Sequence, residues 1–170
     1  SHLSELLLDQ TADVTLMAQP SPFDARLQVT PIYRERFVVA FPIGHRFTEL
    51  TRVHVSEMRD ESYLSRVNCE FRNHLDQMCQ SHGVNIQSAY RSEREDWIQT
   101  MIAAGMGLCF MPEYSVTHPG LMTRPIEPEV VREVSLVTAA GCSVSPPVAA
   151  LIASVAAYPW AEDSKLASAG

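Results

Sequence analysis

The sequence predicts an α/β domain with mixed sheets, and three observations predict it. Short apolar stretches of strand character alternate with segments of helical periodicity along most of the 170 residues. The hydrophobic fraction is 46% against 19% charged, which supplies a core and argues against disorder. Residues 92–112 place a helical pattern, a glycine turn, a buried-strand pattern and a proline in immediate succession.

Leu3–Gln10 is predicted helical, with Leu3, Leu6 and Leu7 on one stripe. Asp13–Ala18 is a short strand, and Pro20 and Pro22 then impose a loop. Leu27–Tyr33 and Arg36–Phe41 read as two strands separated by charged residues, the second apolar enough to be buried on both faces. Pro42–Leu50 is a loop containing Gly44, His45, Arg46 and Phe47. Val55–Asp60 reads as a short helix, Ser62–Arg66 as a strand, Glu70–Ser81 as a helix ending at Gly83, and Val84–Tyr90 as a strand. Asp96 and Gln99 have capping-box spacing, Trp97, Met101 and Ala104 share a face of that helix, and Gly105 closes it. Gly107–Met111 is then a buried strand stopped by Pro112. Leu121–Ile126 and Val131–Thr138 are strands, Pro147–Tyr158 is a last helix, and Ala161–Gly170 is a polar tail.

Composition excludes several functions. Lys plus Arg is 13 against 20 for Asp plus Glu, a net charge of −7, so the chain lacks the basic footprint of a nucleic-acid-binding face. No apolar run reaches the roughly 18 residues of a membrane span. Cys69, Cys79, Cys109 and Cys142 are too few and too irregularly spaced for a secreted disulfide framework, which predicts a cytoplasmic protein with reduced thiols. Gly105-Met106-Gly107 follows a helix and precedes a strand, the reverse of the order that cradles a phosphate. There is no nucleophile elbow, P-loop or His-Glu-x-x-His, so no enzyme is expected and no cofactor is called for.

Cys69, His74, Cys79 and His82 spread around most of a helical cylinder, so no metal site is predicted from them. Joining Cys69 to Cys79 as a redox switch requires the helix to unwind. Ten residues of helix span about 15 Å, whereas a disulfide holds Cα atoms roughly 4.4–6.8 Å apart. Cys109, in an apolar strand, reads as an inert core residue.

Two strand-to-helix turns carry the candidate site. The run Arg91-Ser92-Glu93-Arg94-Glu95-Asp96 lies where free backbone N–H groups can receive an anion. Ser65–Phe71 is a similar turn, with Arg66, Asn68, Cys69 and Arg72 available. Ligands in open α/β sheets bind at the carboxyl ends of strands, and two such turns facing each other would form a small-molecule cleft.

Three stretches carry a resemblance. They are Leu6-Leu7-Leu8-Asp9-Gln10-Thr11-Ala12-Asp13-Val14; Arg36-Phe37-Val38-Val39-Ala40-Phe41-Pro42 with Gly44-His45-Arg46-Phe47; and Met101-Ile102-Ala103-Ala104-Gly105-Met106-Gly107-Leu108-Cys109-Phe110-Met111-Pro112. In order and spacing over Leu3–Tyr158 they resemble the effector-binding domain of LysR-type transcriptional regulators, with Arg46 in place of that family's usual proline. The resemblance implies a two-lobed fold like that of periplasmic binding proteins, with mixed sheets and a two-strand hinge. Lobe one would hold residues 1–35, lacking its front, and 133–160; lobe two would hold 36–132, and 161–170 would be a tail.

The resemblance further implies an effector between the lobes, often a small carboxylate or aromatic acid in this family. Its pocket maps onto Ala18, Gln19, Ser65, Arg66, Asn68, Cys69, Glu70, Phe71, Arg94, Glu95, Asp96 and Phe110. Arg72 or Arg94 is the candidate partner of an effector carboxylate. Phe71 or Trp97 would give an apolar wall, although Trp97 reads first as the core anchor of its helix. The expected partners are a small effector, further copies in a homodimer or tetramer, and DNA only through a helix-turn-helix domain outside this chain. Dimer contacts would fall on Leu3–Gln10 and Glu70–Ser81. A redox-sensing member using Cys69 and Cys79, and a solute-binding protein of the same fold, are the rival readings.

Overall fold

A computed structural model describes residues 2–160. The tail expected at 161–170 lies outside them. The chain divides into two compact units: one runs up to Arg34 and resumes at Glu133, and the other is Glu35–Arg132.

The first unit opens with helix α1 (His2–Leu8) and strand β1 (Thr15–Met17). Strand β2 (Leu27–Pro42) follows and carries the chain into the second unit. Two strands separated by charge were expected there, but the structure has one unbroken strand. Arg34, Glu35 and Arg36 do not interrupt it: Arg34 is exposed to solvent, and Glu35 and Arg36 pair with Arg132 and Glu113, respectively. A charged side chain can stay in a ladder when its charge is paired.

In the second unit, Arg46–Glu49 and Val55–Met58 form single 3-10 turns on either side of β3 (Val53–His54). The short helix expected over Val55–Asp60 therefore shrinks to one turn, and Asp60 has a left-handed φ of 69° that no helix continues through. Then come β4 (Tyr63–Arg66), α2 (Arg72–Ser81), β5 (Ser88–Ser92), α3 (Glu95–Ala103), β6 (Cys109–Pro112) and β7 (Leu121–Glu127). Strand β8 (Val131–Ala139) leads back to the first unit, and α4 (Pro146–Ala157) closes it.

In the first unit β1 pairs antiparallel with β8, Leu16 facing Leu136, and β8 neighbours β2. Leu7 of α1, Met17, Leu27 and Val137 form its buried cluster. In the second unit β2 pairs antiparallel with both β6 and β7, while β7 pairs parallel with β3. Strands β4 and β5 form a separate parallel pair. Leu64, Ile98, Ile102, Cys109 and Met111 form a core between that pair, α3 and β6.

Helix α3 settles two sequence expectations differently. Its buried face is Ile98, Gln99 and Ile102, so Trp97 is 52% exposed and does not anchor the core. The expected capping box does not form: the cap position is Arg94, with no side-chain bond to the helix end. Gln99 instead donates to the Ser115 carbonyl and accepts the N–H groups of Thr117 and His118. One buried amide thereby fixes the loop after β6, satisfying three backbone groups that would otherwise be stranded. The closing glycines behave as expected: Gly83 and Gly105 hold left-handed φ values of 71° and 78° just past α2 and α3.

Candidate functional site

The site is built where β4 and β5 end. Their parallel register sets Ser65 opposite Arg91 and Arg66 opposite Ser92. Both strands therefore release their helix-bound turns at one edge, and Val67 N–H donates to the Ser92 carbonyl across it. Arg66 then bridges the turns, its Nη1 donating to Glu95 Oε1 at 2.5 Å. Its Nη2 donates to Cys69 Sγ at 3.3 Å. Arg72, in the first turn of α2, donates back to the Arg66 carbonyl.

A small cavity of about 20 Å³ opens among Tyr63, Ser65, Arg66, Cys69, Arg72, Leu75, Asp76 and Phe110. That is room for about one water molecule. The Arg66 side chain is only 10% exposed. Its Nε is buried and has no hydrogen-bond partner among the described residues. Burial works against the guanidinium charge, but the Glu95 carboxylate to which it donates outweighs that cost, so the arginine stays charged. A fixed buried cation with an unsatisfied N–H is a prepared acceptor for an anion.

Of the residues expected from sequence, Ser65, Arg66, Cys69, Arg72 and Phe110 line this one cavity, and Glu95 holds Arg66. Asn68 is exposed beside it. Glu70 and Phe71 turn away. Glu70 pairs with Arg132, and Phe71 is buried with its ring 5.2 Å from that of Phe37. Arg94 and Asp96 pair with each other at the surface, and the Arg94 guanidinium lies 5.1 Å from the Trp97 ring. Ala18 and Gln19 belong to the first unit, where the Gln19 amide donates to the Ser21 and Pro22 carbonyls. Helix α2 begins at Arg72, so its first free N–H groups lie beyond Glu70.

Tyr63, Leu75 and Asp76 also line the cavity and are not predicted from the sequence. Tyr63 shares a strand face with Ser65, two positions on. Leu75 and Asp76 follow Arg72 by one helical turn. Alternation and helical spacing around the two arginines are the signals that find them. The Tyr63 hydroxyl accepts the Phe110 N–H at 3.3 Å, and burial raises its pKa well above the ordinary tyrosine value.

The thiols separate into two kinds. Burial pushes Cys79 and Cys109 up to about 12, and Asp76 adds to the effect at Cys79. Both thiols must stay neutral in the folded state, whereas in the unfolded chain each ionises near its ordinary value of 9.0. Their stabilising contribution is therefore complete below that value and is lost as pH rises toward 12. Urea titrations should show stability falling across this alkaline window. A Cys79→Val variant should fall less steeply, and an identical fall would contradict the assignment for Cys79.

Among the described residues no helix is long and apolar enough to cross a membrane, and no cluster of His, Cys, Asp and Glu is arranged to hold a metal ion.

The sequence matches the family model described as the LysR substrate binding domain over residues 1–159. No curated protein matches it. Among solved structures, it is similar to the CcmR regulatory domain of Synechocystis in complex with 2-PG, with a TM-score of 0.79 and 16% identity over 92% of this chain and 77% of that one. It is similar to the C-terminal domain of a probable LysR family regulator from Rhodococcus, with a TM-score of 0.78 and 17% identity over 92% and 80%. An OxyR mutant of Corynebacterium glutamicum gives a TM-score of 0.67 and 25% identity over 84% of this chain, which spans 46% of that longer one. The mixed α/β architecture is the periplasmic-binding-protein-like fold of these domains. The chain belongs to the LysR substrate-binding domain family.

Proposed function

We propose that this chain is the effector-sensing domain of a LysR-type transcriptional regulator, and that its effector is a small organic or aromatic acid. One observation carries the reading: Arg66, its side chain nine-tenths buried and its Nε without a hydrogen-bond partner among the described residues, lines a cavity together with Ser65 and Arg72. In this reading one carboxylate oxygen enters the cavity, and the rest of the effector lies at its mouth. Arg72 is the second cation of this subsite. Arg94, neutralised by Asp96 at the surface, is the weaker of the two candidates. The CcmR regulatory domain of Synechocystis, solved in complex with 2-PG, supports a small-molecule ligand.

Sensing requires the effector to bind two states of the domain with different affinity, and coupling of roughly 1–3 kcal/mol is typical. In the whole regulator that coupling passes to a homodimer or tetramer in the cytoplasm, and DNA is contacted by a helix-turn-helix domain outside this chain. No catalytic step is part of this reading. The disulfide alternative is weakened by Cys79, whose thiol is buried on α2 and held protonated. Mass spectrometry after mild peroxide should leave Cys69 and Cys79 unlinked.

Calorimetric titration against a panel of small carboxylates, each paired with its neutral amide, tests the proposal. Some acids should bind and their amides should not. Binding of a neutral ligand with no binding of any acid would sink the anion assignment.

A further inference from the structure

We propose that the first unit carries a ligand site of its own, separate from the Arg66 cavity: a cleft between α4 and the sheet that takes an uncharged aromatic molecule of about two fused rings.

The cleft has a volume of about 380 Å³ and lies wholly within the first unit. Thr30 and Ile32, two positions apart on β2, supply one wall together with Leu136 of β8. Ile152 and Val155, three positions apart, share a face of α4 and supply the other. Every residue of α4 except Ser154 is apolar, yet none of them is buried. A helix of that composition gains stability by covering one face. Here that face lines the cleft, so its apolar area is what an occupant gains by excluding water.

Trp160 also lines the cleft and is fixed in place. Its indole N–H donates to the Val155 carbonyl at 2.8 Å, its ring stacks with Tyr33 at 5.4 Å and 24°, and the Tyr158 ring lies 4.6 Å away. A rigid aromatic wall is pre-organised for a flat ring, because no side chain has to be ordered on binding.

Size and charge select the ligand. A dry aliphatic cavity of roughly 150 Å³ takes up benzene, so this cleft accommodates two fused rings with a small substituent. Among the described residues no acidic or basic side chain lines it, and apart from the indole its polar side chains are the Thr30 and Tyr158 hydroxyls. A carboxylate or ammonium would lose its water there without gaining a counter-charge, whereas a phenol or carbonyl needs only one hydrogen bond. Thr30 and Ile32 belong to the strand that continues to Pro42 in the second unit, so the occupant rests on an element common to both units.

The protein contains two tryptophans, Trp97 in the second unit and Trp160 at the cleft. Their indole N–H signals in a nitrogen–proton correlation spectrum are told apart by Trp97→Phe. 2-Naphthol, uncharged at neutral pH, should move the Trp160 signal saturably and leave Trp97 in place. 2-Naphthoate, with the same rings and a carboxylate, should bind at least about tenfold more weakly. Ala156→Leu adds bulk to the wall outside the core and should weaken naphthol by about tenfold or more, with an unchanged Trp97 signal as the check on folding. Arg66→Lys should leave naphthol binding as it is, which separates this site from the acid subsite.

A Trp160 signal that ignores naphthol, or that answers naphthoate equally well, would overturn the proposal. So would unchanged naphthol affinity in Ala156→Leu. A Trp160 signal that moves with protein concentration alone, with self-association lost in Ala156→Leu, would make the cleft an interface between copies and overturn it too.

Discussion

Replacing Arg132 by Met should destabilise the protein by about 3–5 kcal/mol, the cost of leaving one partner of a buried ion pair alone. Arg132 and Glu35 are the terminal residues of the second unit, where β8 leaves and β2 enters. Their side chains are 14% and 1% exposed. Arg132 Nε donates to Glu35 Oε1 at 2.9 Å, and Glu35 Oε2 accepts the Tyr114 N–H at the same distance. Without the guanidinium, the buried Glu35 carboxyl loses its cationic partner and keeps only that N–H among the described residues. Burial opposes the arginine's charge as well, but Glu35 and then Glu70 more than offset it and raise its pKa.

The mechanism gives a control. Combining Arg132→Met with Glu35→Gln removes the stranded charge and should recover part of the loss, a coupling that a double-mutant cycle in urea measures. Glu70→Gln alone removes a more exposed partner and should cost far less. A double variant no better than Arg132→Met would mean that the pair contributes nothing through charge.

Gly107→Ala is the second large expected effect. Gly107 has a φ of +155°, and an added Cβ would stand 2.6 Å from the Ser62 carbonyl oxygen and 3.2 Å from Leu64 Cγ. The obstacle is backbone, and it is tied in place. Leu108 N–H donates to that same Ser62 carbonyl, and Leu64 N–H donates to the Leu108 carbonyl, both at 2.9 Å. A left-handed side chain costs about 1–2 kcal/mol and overpacking a further 1–3, so the loss should reach about 3 kcal/mol or more. Gly105→Ala, at a φ of +78° with open space around its Cβ, should cost only the first part, about 1–2 kcal/mol. Because β4 delivers Tyr63, Ser65 and Arg66 to the cavity, Gly107→Ala should weaken acid binding as well, and Gly105→Ala should not. Equal effects on stability from the two glycines would contradict the close approach.

These residues show what the sequence made legible. The helix, glycine turn, strand and proline over residues 92–112 were readable because each step is decided locally, by periodicity and by backbone freedom. The continuity of β2 was not, because Glu35 and Arg36 find their partners at Arg132 and Glu113, both distant in sequence. Helix α3 lies where periodicity predicts it, but its buried face is turned by one residue, to Ile98 and Ile102 from Trp97 and Met101. Trp97 outweighed Ile98 as an apolar anchor, and a buried glutamine with a loop-fixing role leaves no apolar signature.

The site shows the same division. Turn position and residue type pointed to Ser65, Arg66, Cys69 and Arg72. The choice of Arg66 as the buried cation depends on the β4–β5 register and on Glu95 reaching across it, which only the folded chain defines. Arg94 has the same chemistry at an equivalent turn, yet Asp96, two residues away, holds it at the surface.

The central claim is that the Arg66 Nε–H receives a carboxylate. Nitrogen–proton correlation spectra resolve arginine Nε–H groups, and the Arg66 signal can be assigned by its loss in Arg66→Lys. On titration with an acid that binds by calorimetry, the account predicts that this signal moves downfield along the binding isotherm and stays still with the matched amide. Saturable acid binding that leaves the Arg66 Nε–H signal unmoved would contradict it.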